Sequence, residues 1–426
     1  MSLNRRAFIK LSIAAPALAS LSACGSTAIR PAGSKPCVVV IGGGYAGATV
    51  AKYLRIWSNA GIDTIVIEPN PYFISCPLSN LVLGGSKGLD DLSFSYDGLK
   101  RHHGIQWVQD TVTSVDSAAK KISMQRGELS YDKLVIAPGI DFIYEQLPML
   151  QSEEAQRQIP HAWKAGPQTV NLHRQLKAMP AGGVFVVSIP KAPYRCPPGP
   201  YERVCLAAFY LKQHNPTAKI IVLDANPDIV SKKGLFIKVW SEMYAGMVDY
   251  RPNSSAVEVD VARKWVKTEF DAVTADVLNV IPPQRAGKIA QMLGAANVDR
   301  RWCEVDFLTY ESKVVPDTYI VGDAVSAGLP KSAHMATSQA RVCASAIVAA
   351  LSQQAPDPVP VPVFANTCYS FVSDKMAMHV AHVYRYDTAK KIMLPAEGGG
   401  VSDRPSELEG NYAYDWARNI WSDVLT

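Results

Sequence analysis

The chain has no Cys-x-x-Cys pair, no cluster of basic residues and little net charge. Its eight cysteines, Cys24, Cys37, Cys76, Cys196, Cys205, Cys303, Cys343 and Cys368, stand singly. That spacing argues against a zinc ribbon and against a c-type haem attached to this chain, since both need two thiols within one short turn. No metal site is expected. Of the formal net charge of +5, three positive charges (Arg5, Arg6 and Lys10) fall in the first 23 residues, which hold no acid. What remains is nearly neutral and offers no stripe of cations for phosphates, which argues against a nucleic-acid partner. The apolar run Leu11–Ala23 is too short to span a bilayer.

That run suits the core of an export signal instead. With Arg5-Arg6 before it, the segment 1–33 resembles a twin-arginine signal, which carries already folded proteins to the periplasm. Leu21–Cys24 ("LSAC") also resembles a lipobox; Cys24 is then either an acylated anchor, the chain's one membrane contact, or part of a discarded leader. The 426 residues leave room for two to three domains.

The clearest motif is "CVVVIGGGYAGATVAKYLRIW", starting at Cys37. A β-branched run reads as a buried parallel strand. It enters Gly42-Gly43-Gly44-Tyr45-Ala46-Gly47, after which Ala46, Val50, Leu54 and Trp57 recur at helical spacing. A G-x-G-x-x-G at a strand-to-helix turn is the dinucleotide-binding context. Gly42 permits the turn, Gly44 admits a pyrophosphate to the backbone, and Gly47 lets helix and strand touch. A second strand ends at Glu68, whose carboxylate is placed for unphosphorylated ribose hydroxyls, as in NAD or FAD.

Two later segments favour FAD. "YDKLVIAPGI" is a strand closing on Pro138-Gly139, and "TYIVGDAVSAGLPKSAHMATSQARVCASAIVAA" is a strand ending at Gly322-Asp323 followed by a long helix. Together they resemble the two-dinucleotide-domain flavoprotein reductases. The resemblance implies that Gly322 and Asp323 hold the FAD ribityl chain or pyrophosphate. The helix beginning near Lys331 then points its positive end at the flavin. The FAD domain is thus expected in two pieces, 34–150 and 275–355, around an inserted second domain at 151–274.

The inserted domain should repeat the strand–turn–helix unit, with "GGVFVVSIP" and "ERVCLAAFYLKQH" as strand and helix and a second strand ending at Asp224. Its turn, Pro190–Pro200, holds five prolines and a single glycine, Gly199. Prolines lack the N–H groups that cradle a pyrophosphate. Nicotinamide binding is therefore expected to be lost, and Asp224 is a structural remnant or a solvated strand end. In its place stands Cys196, held by Pro197-Pro198. Cys205, on an apolar helix face, reads as core, as do Cys37 and Cys343.

"YFISCPLSN", "HAWKAGPQT", "YRCPPGPYER", "NVIPPQRAGKIA", "RWCEVD" and "NTCYS" occur in one colinear order from Cys37 to the C-terminus. Together they resemble the flavoprotein subunit of flavocytochrome c sulfide dehydrogenase; sulfide:quinone oxidoreductases are more distant. The resemblance implies an α/β fold of two Rossmann-like three-layer dinucleotide-binding domains plus a small C-terminal α+β interface domain at 356–426. It implies FAD bound covalently through Cys76, a redox-active disulfide between Cys196 and Cys303 that sulfide attacks, and Glu202 as proton handler. A solvated helix-start carboxylate is the alternative for Glu202, and a purely structural disulfide for the cysteines. Electrons are expected to pass to a separate c-type cytochrome subunit. Cys368 reads as structural, and Trp416 and Trp421 either cover the flavin or pack in the core. The rival functions are a sulfide:quinone oxidoreductase, an NADH-dependent flavin reductase, which the proline-filled turn opposes, and an accessory flavoprotein of a Sox-type sulfur-oxidising system.

Overall fold

The computed structural model describes residues 35–352 and 361–426. Arg5, Arg6, the lipobox ending at Cys24 and most of the proline-rich linker lie outside the described residues.

Two parallel sheets carry the molecule. The first runs Thr318–Ile320, Lys133–Ile136, Cys37–Ile41, Asp63–Ile67 and Gln106–Val108, with every neighbour pair parallel. Its central strand is wholly buried, as a continuous β-branched run covered on both faces should be. Helix Tyr45–Trp57 packs against the long helix Ala333–Ser352. The chain leaves this sheet after Lys133–Ile136 and returns to add Thr318–Ile320 at its edge.

The second sheet runs Val248–Arg251, Lys219–Asp224, Val184–Ile189 and Val277–Val280, again all parallel. This corrects the expected boundary at 274/275. Val277–Val280 pairs with Val184–Ile189, so the inserted unit keeps it. A fully buried strand needs partners for its backbone N–H and C=O groups, and these are found along Val184–Ile189.

The C-terminal part is a three-stranded antiparallel sheet, Val363–Phe371, Ala377–Asp387 and Ile392–Val401, with helix Glu407–Leu425 against it. Ser406 caps that helix by accepting the Glu409 N–H at 3.2 Å. The strand Val363–Phe371 also packs on helix Gly199–His214 and on helix Ala333–Ser352. It thereby brings residues 363–371 to the place where the two parallel sheets meet.

Candidate active site

A cavity of about 680 Å³ lies at this junction, within the usual range for cofactor sites of about 300–1,000 Å³. Its walls include Gly42, Gly44, Glu68, Cys76, Cys196, Glu202, Gly322, Asp323, Lys331, His334 and Cys368. Nearly all the residues singled out in the sequence therefore converge, although they come from five separate stretches of chain.

The dinucleotide end fits FAD. Gly42 has φ +103°, and Gly47 has no room for a side chain, since a Cβ there would sit 1.9 Å from the Gly42 carbonyl oxygen. A Cβ on Gly44 would meet nothing within 4 Å, so this backbone lies open to the cavity at the helix N-terminus, where a pyrophosphate binds well. Glu68 accepts the Gly43 N–H at 2.7 Å and both the backbone and side-chain N–H groups of Asn70, at 2.8 and 2.6 Å. These bonds fix its carboxylate and leave lone pairs for hydroxyl donors. Asp323 follows Gly322 (φ +81°) on the wall, and burial raises its carboxyl from the ordinary value, opposed by Arg195 and Lys331. No described residue hydrogen-bonds that carboxylate, which suits an acceptor awaiting a cofactor hydroxyl. Lys331 lines the cavity as well. Its ammonium donates to the carbonyls of Asp323 and Val325, both at 2.8 Å, and lies 3.7 Å from the Trp302 ring centroid. It ties down the turn that carries Asp323.

The second turn carries no phosphate cradle. Asp224, 0% exposed, accepts the Tyr201 and Tyr250 hydroxyls at 2.8 and 3.0 Å on one oxygen. On the other it accepts two N–H groups of Asn226. It is a saturated structural carboxylate, so of its two sequence readings the structural remnant holds.

Cys196 sits in the left-handed region (φ +57°), just before helix Gly199–His214. A Cβ on Gly199 would stand 2.9 Å from its Sγ. Burial pushes the Cys196 thiol well above its ordinary value; nearby Cys368 and then Glu202 add to the rise, while Arg195 and Lys232 oppose it. The thiol beside Cys196 on the cavity wall is thus Cys368. Cys303 is 0% exposed and does not belong to that wall. Its backbone is bridged to Val325 and bonded to Ala324 and Ser326. Cys303 and Cys196 both hold the 322–332 loop, Cys196 through its N–H to the Lys331 carbonyl. Burial lifts the Cys303 thiol to about 12 against the opposing Lys331 charge, and its side chain belongs to the hydrophobic core. Cys76, Cys196, Cys205, Cys303, Cys343 and Cys368 are unbridged in the structure.

Glu202 is not solvated. It is 8% exposed, accepts the Phe371 N–H at 2.8 Å and the Asn80 side-chain N–H at 2.8 Å, and burial raises its carboxyl. Cys76 lies on the cavity wall just after strand Phe73–Ile74. Trp416 lines the cavity, whereas Trp421 donates to Ser75 and Tyr45 and packs on Phe94 with ring centroids 4.7 Å apart.

Models of known families match three stretches: the central part of the sulfide dehydrogenase (flavocytochrome c) flavoprotein chain over residues 169–282, the flavin-binding part of flavocytochrome c sulphide dehydrogenase over 360–425, and pyridine nucleotide-disulphide oxidoreductase over 36–162. The chain belongs to the flavocytochrome c sulfide dehydrogenase flavoprotein family. It is also similar to mitochondrial sulfide:quinone oxidoreductase of Mus musculus, 24% identical over 345 residues, 75% of this chain and 72% of that protein. The Dictyostelium discoideum counterpart is 24% identical over 324 residues, 72% and 69% of the two chains. Among solved structures, sulfide:quinone oxidoreductase from Aquifex aeolicus superposes with TM-score 0.73 at 18% identity over 91% of each chain. NDH2 from Plasmodium falciparum gives 0.64 at 11% identity over 92% and 95%. The fold is therefore the Rossmann-like α/β architecture of these flavoproteins. With its family the chain is a flavin-dependent oxidoreductase acting on sulfide.

Three residues in or beside the cavity escaped the sequence reading as participants. Cys368 passed as structural. Lys232 lies in no motif, and His334, at the start of the long helix, accepts the Thr367 N–H on Nδ1 at 3.1 Å. A neutral His334 then carries its proton on Nε2. His334 and Cys368 line the cavity, and Lys232 reaches it through strand Val363–Phe371.

Proposed function

We propose that this chain oxidises sulfide through a dithiol–disulfide couple of Cys196 and Cys368, with FAD in the cavity and a c-type cytochrome subunit as electron acceptor. The reading rests on one observation above all: Cys196 and Cys368 are neighbouring thiols on the wall of the cavity that Gly44 and Asp323 also line. Gly44, Glu68, Gly322 and Asp323 would hold FAD, which when bound supplies a two-electron acceptor that can be emptied one electron at a time.

Hydrosulfide attacks Cys196 Sγ of the disulfide. A new S–S bond forms there, the Cys196–Cys368 bond breaks, and its electron pair leaves on Cys368 as thiolate. A second hydrosulfide attacks the persulfide and carries off the outer sulfur as a disulfane anion, returning Cys196 as a thiol. Reclosure of the disulfide would release two electrons, for which FAD held in this cavity would be the acceptor. Glu202, buried and held by Asn80 and Phe371, is the carboxylate beside both sulfurs that takes up and returns the proton. Trp163, Tyr369 and Trp416 line the same cavity and limit its water.

Cys76 is the proposed attachment point for FAD, since its thiol borders the cavity. The test is whether flavin stays with the acid-precipitated chain in wild type and is lost from Cys76→Ser. Export by the twin-arginine signal to the periplasm, with or without an anchor at Cys24, completes the proposal. Retention of the protein in the cytoplasm of a cell with an intact twin-arginine system would overturn that part.

The deciding experiment is an anaerobic titration of the holoprotein with sulfide, following flavin absorbance. Cys368→Ser should retain FAD and lose bleaching, while Cys303→Ser should bleach normally. The reverse pattern would restore Cys303 to the couple. Addition of cytochrome c or a quinone analogue to the reduced protein then separates the two acceptors. No helix among the described residues is long and apolar enough to cross a membrane.

A further inference from the structure

Lys232 breaks three local preferences at once. It is a non-glycine residue in the left-handed region, with φ +55°. It stands at the N-terminus of helix Lys233–Glu242, where a cation opposes the helix dipole. Its ammonium is buried, with 8% of the residue exposed. A residue that violates this many rules is held by something beyond its own helix.

What holds it is the sulfur site. Lys232 Nζ donates to the Cys368 carbonyl at 2.9 Å and to Ser370 Oγ at 2.8 Å. Both acceptors lie on strand Val363–Phe371, which presents Cys368 to the cavity. The charged and titratable groups facing it are Cys368, Glu202, Cys196 and Cys205. Arg195 faces Cys196, and Arg203 faces Glu202. Arg203 is bound to the His161 and Ala162 carbonyls and to the Asn80 and Asn279 side chains, so its donors are spent on the protein frame. Cys368 also receives the Asn366 side-chain N–H on sulfur at 3.3 Å.

We propose that Lys232 is a positioning residue for sulfide oxidation: its ammonium is the cation that lets Cys368 leave as a thiolate, and Glu202 is the counter-charge that moderates it. The proposal rests on the Cys196–Cys368 couple. When hydrosulfide breaks that bond, negative charge appears on Cys368 in a buried site. Lys232 is the cation hydrogen-bonded to that residue, and a nearby opposite charge typically moves a thiol by about 1–3 pH units. Burial lowers Lys232 itself to about 8, with Cys368 and Glu202 resisting. The ammonium is therefore present at neutral pH and fades above it.

The test uses pre-reduced holoprotein and reads alkylation of Cys368 against pH by peptide mass spectrometry, with no sulfide present. Lys232→Met should raise the alkylation midpoint by about one unit or more, and Lys232→Arg should restore most of it. Glu202→Gln should lower the midpoint, because it removes a negative neighbour. Flavin content and thermal melting report folding of each variant. A folded Lys232→Met with an unmoved midpoint overturns the proposal. If Lys232→Met does not fold, an unmoved or raised midpoint in Glu202→Gln does so. Sulfide bleaching that survives Cys368→Ser would overturn the couple instead, and leaves the alkylation result standing as a separate fact.

Discussion

Two turns of this molecule join a parallel strand to a helix in the same way and do opposite things. At 42–47 glycine opens the backbone to a ligand. At 190–200 proline closes it and leaves a cysteine in a left-handed conformation. The strands around each turn pair alike, and both helices run away from their sheets. The comparison shows that the βαβ frame supplies a position and a helix terminus, while the turn composition selects what meets them. Where N–H groups face outward, a phosphate binds; where a thiol does, sulfur chemistry becomes possible. The ribose-binding carboxylate has diverged in step. Glu68 faces the cavity, and Asp224 is filled by Tyr201, Tyr250 and Asn226.

Substitutions can break this contrast. The largest effect is expected from Gly47→Ala, whose new methyl would stand 1.9 Å from the Gly42 carbonyl oxygen. Such overpacking against backbone costs about 3 kcal/mol or more, and little folded protein should be recovered. The Cβ of Gly44→Ala meets no protein atom within 4 Å, so the fold should survive and only flavin content should fall. A normal flavin-to-protein ratio in that variant would remove the first turn from the cofactor site. Next comes Asp224→Asn, which turns an acceptor of two hydroxyls and two N–H groups partly into a donor. A loss of about 1–3 kcal/mol in urea unfolding is expected, with no gain or loss of response to NADH. A change in NADH response would mean that the second turn still handles nicotinamide.

The smallest effect is one of pH. Lys232 and Lys331 are each lowered to about 8 by burial, from an ordinary 10.5. Between those values the unfolded chain holds these two protons and the folded one does not, so the lysines' own contribution to stability rises with pH from about 8 to 10.5, while the buried cysteines with raised thiols contribute with the opposite sign. The difference in urea midpoint between wild type and Lys232→Met cancels the cysteines and should move in favour of wild type across that window. A difference that does not change with pH would show that Lys232 stays charged when folded.

The sequence made the first turn, both parallel sheets and the loss of a second phosphate cradle legible, because these features lie within one strand–turn–helix unit. It misplaced the end of the inserted unit. Val277–Val280 reads as a buried strand wherever it goes, and only pairing with Val184–Ile189 assigns it. It did not single out the thiol that stands beside Cys196. Cys303 and Cys368 both follow motif-like segments, and nothing in their spacing from Cys196 distinguishes them. Glu202 was found but its environment was not, since Asn80 and Phe371 reach it from distant parts of the chain.

The sequence alone determined that a dinucleotide meets Gly42–Gly47 and that Cys196 stands where a second cradle would be. Both follow from short-range stereochemistry: which residues permit a left-handed turn, and which carry an N–H. Only the tertiary structure decided that Cys368 is the thiol beside Cys196, that Cys303 is core, and that Lys232 reaches the sulfur site. Those outcomes depend on strand Val363–Phe371 crossing between two helices, a long-range packing result that no local pattern encodes.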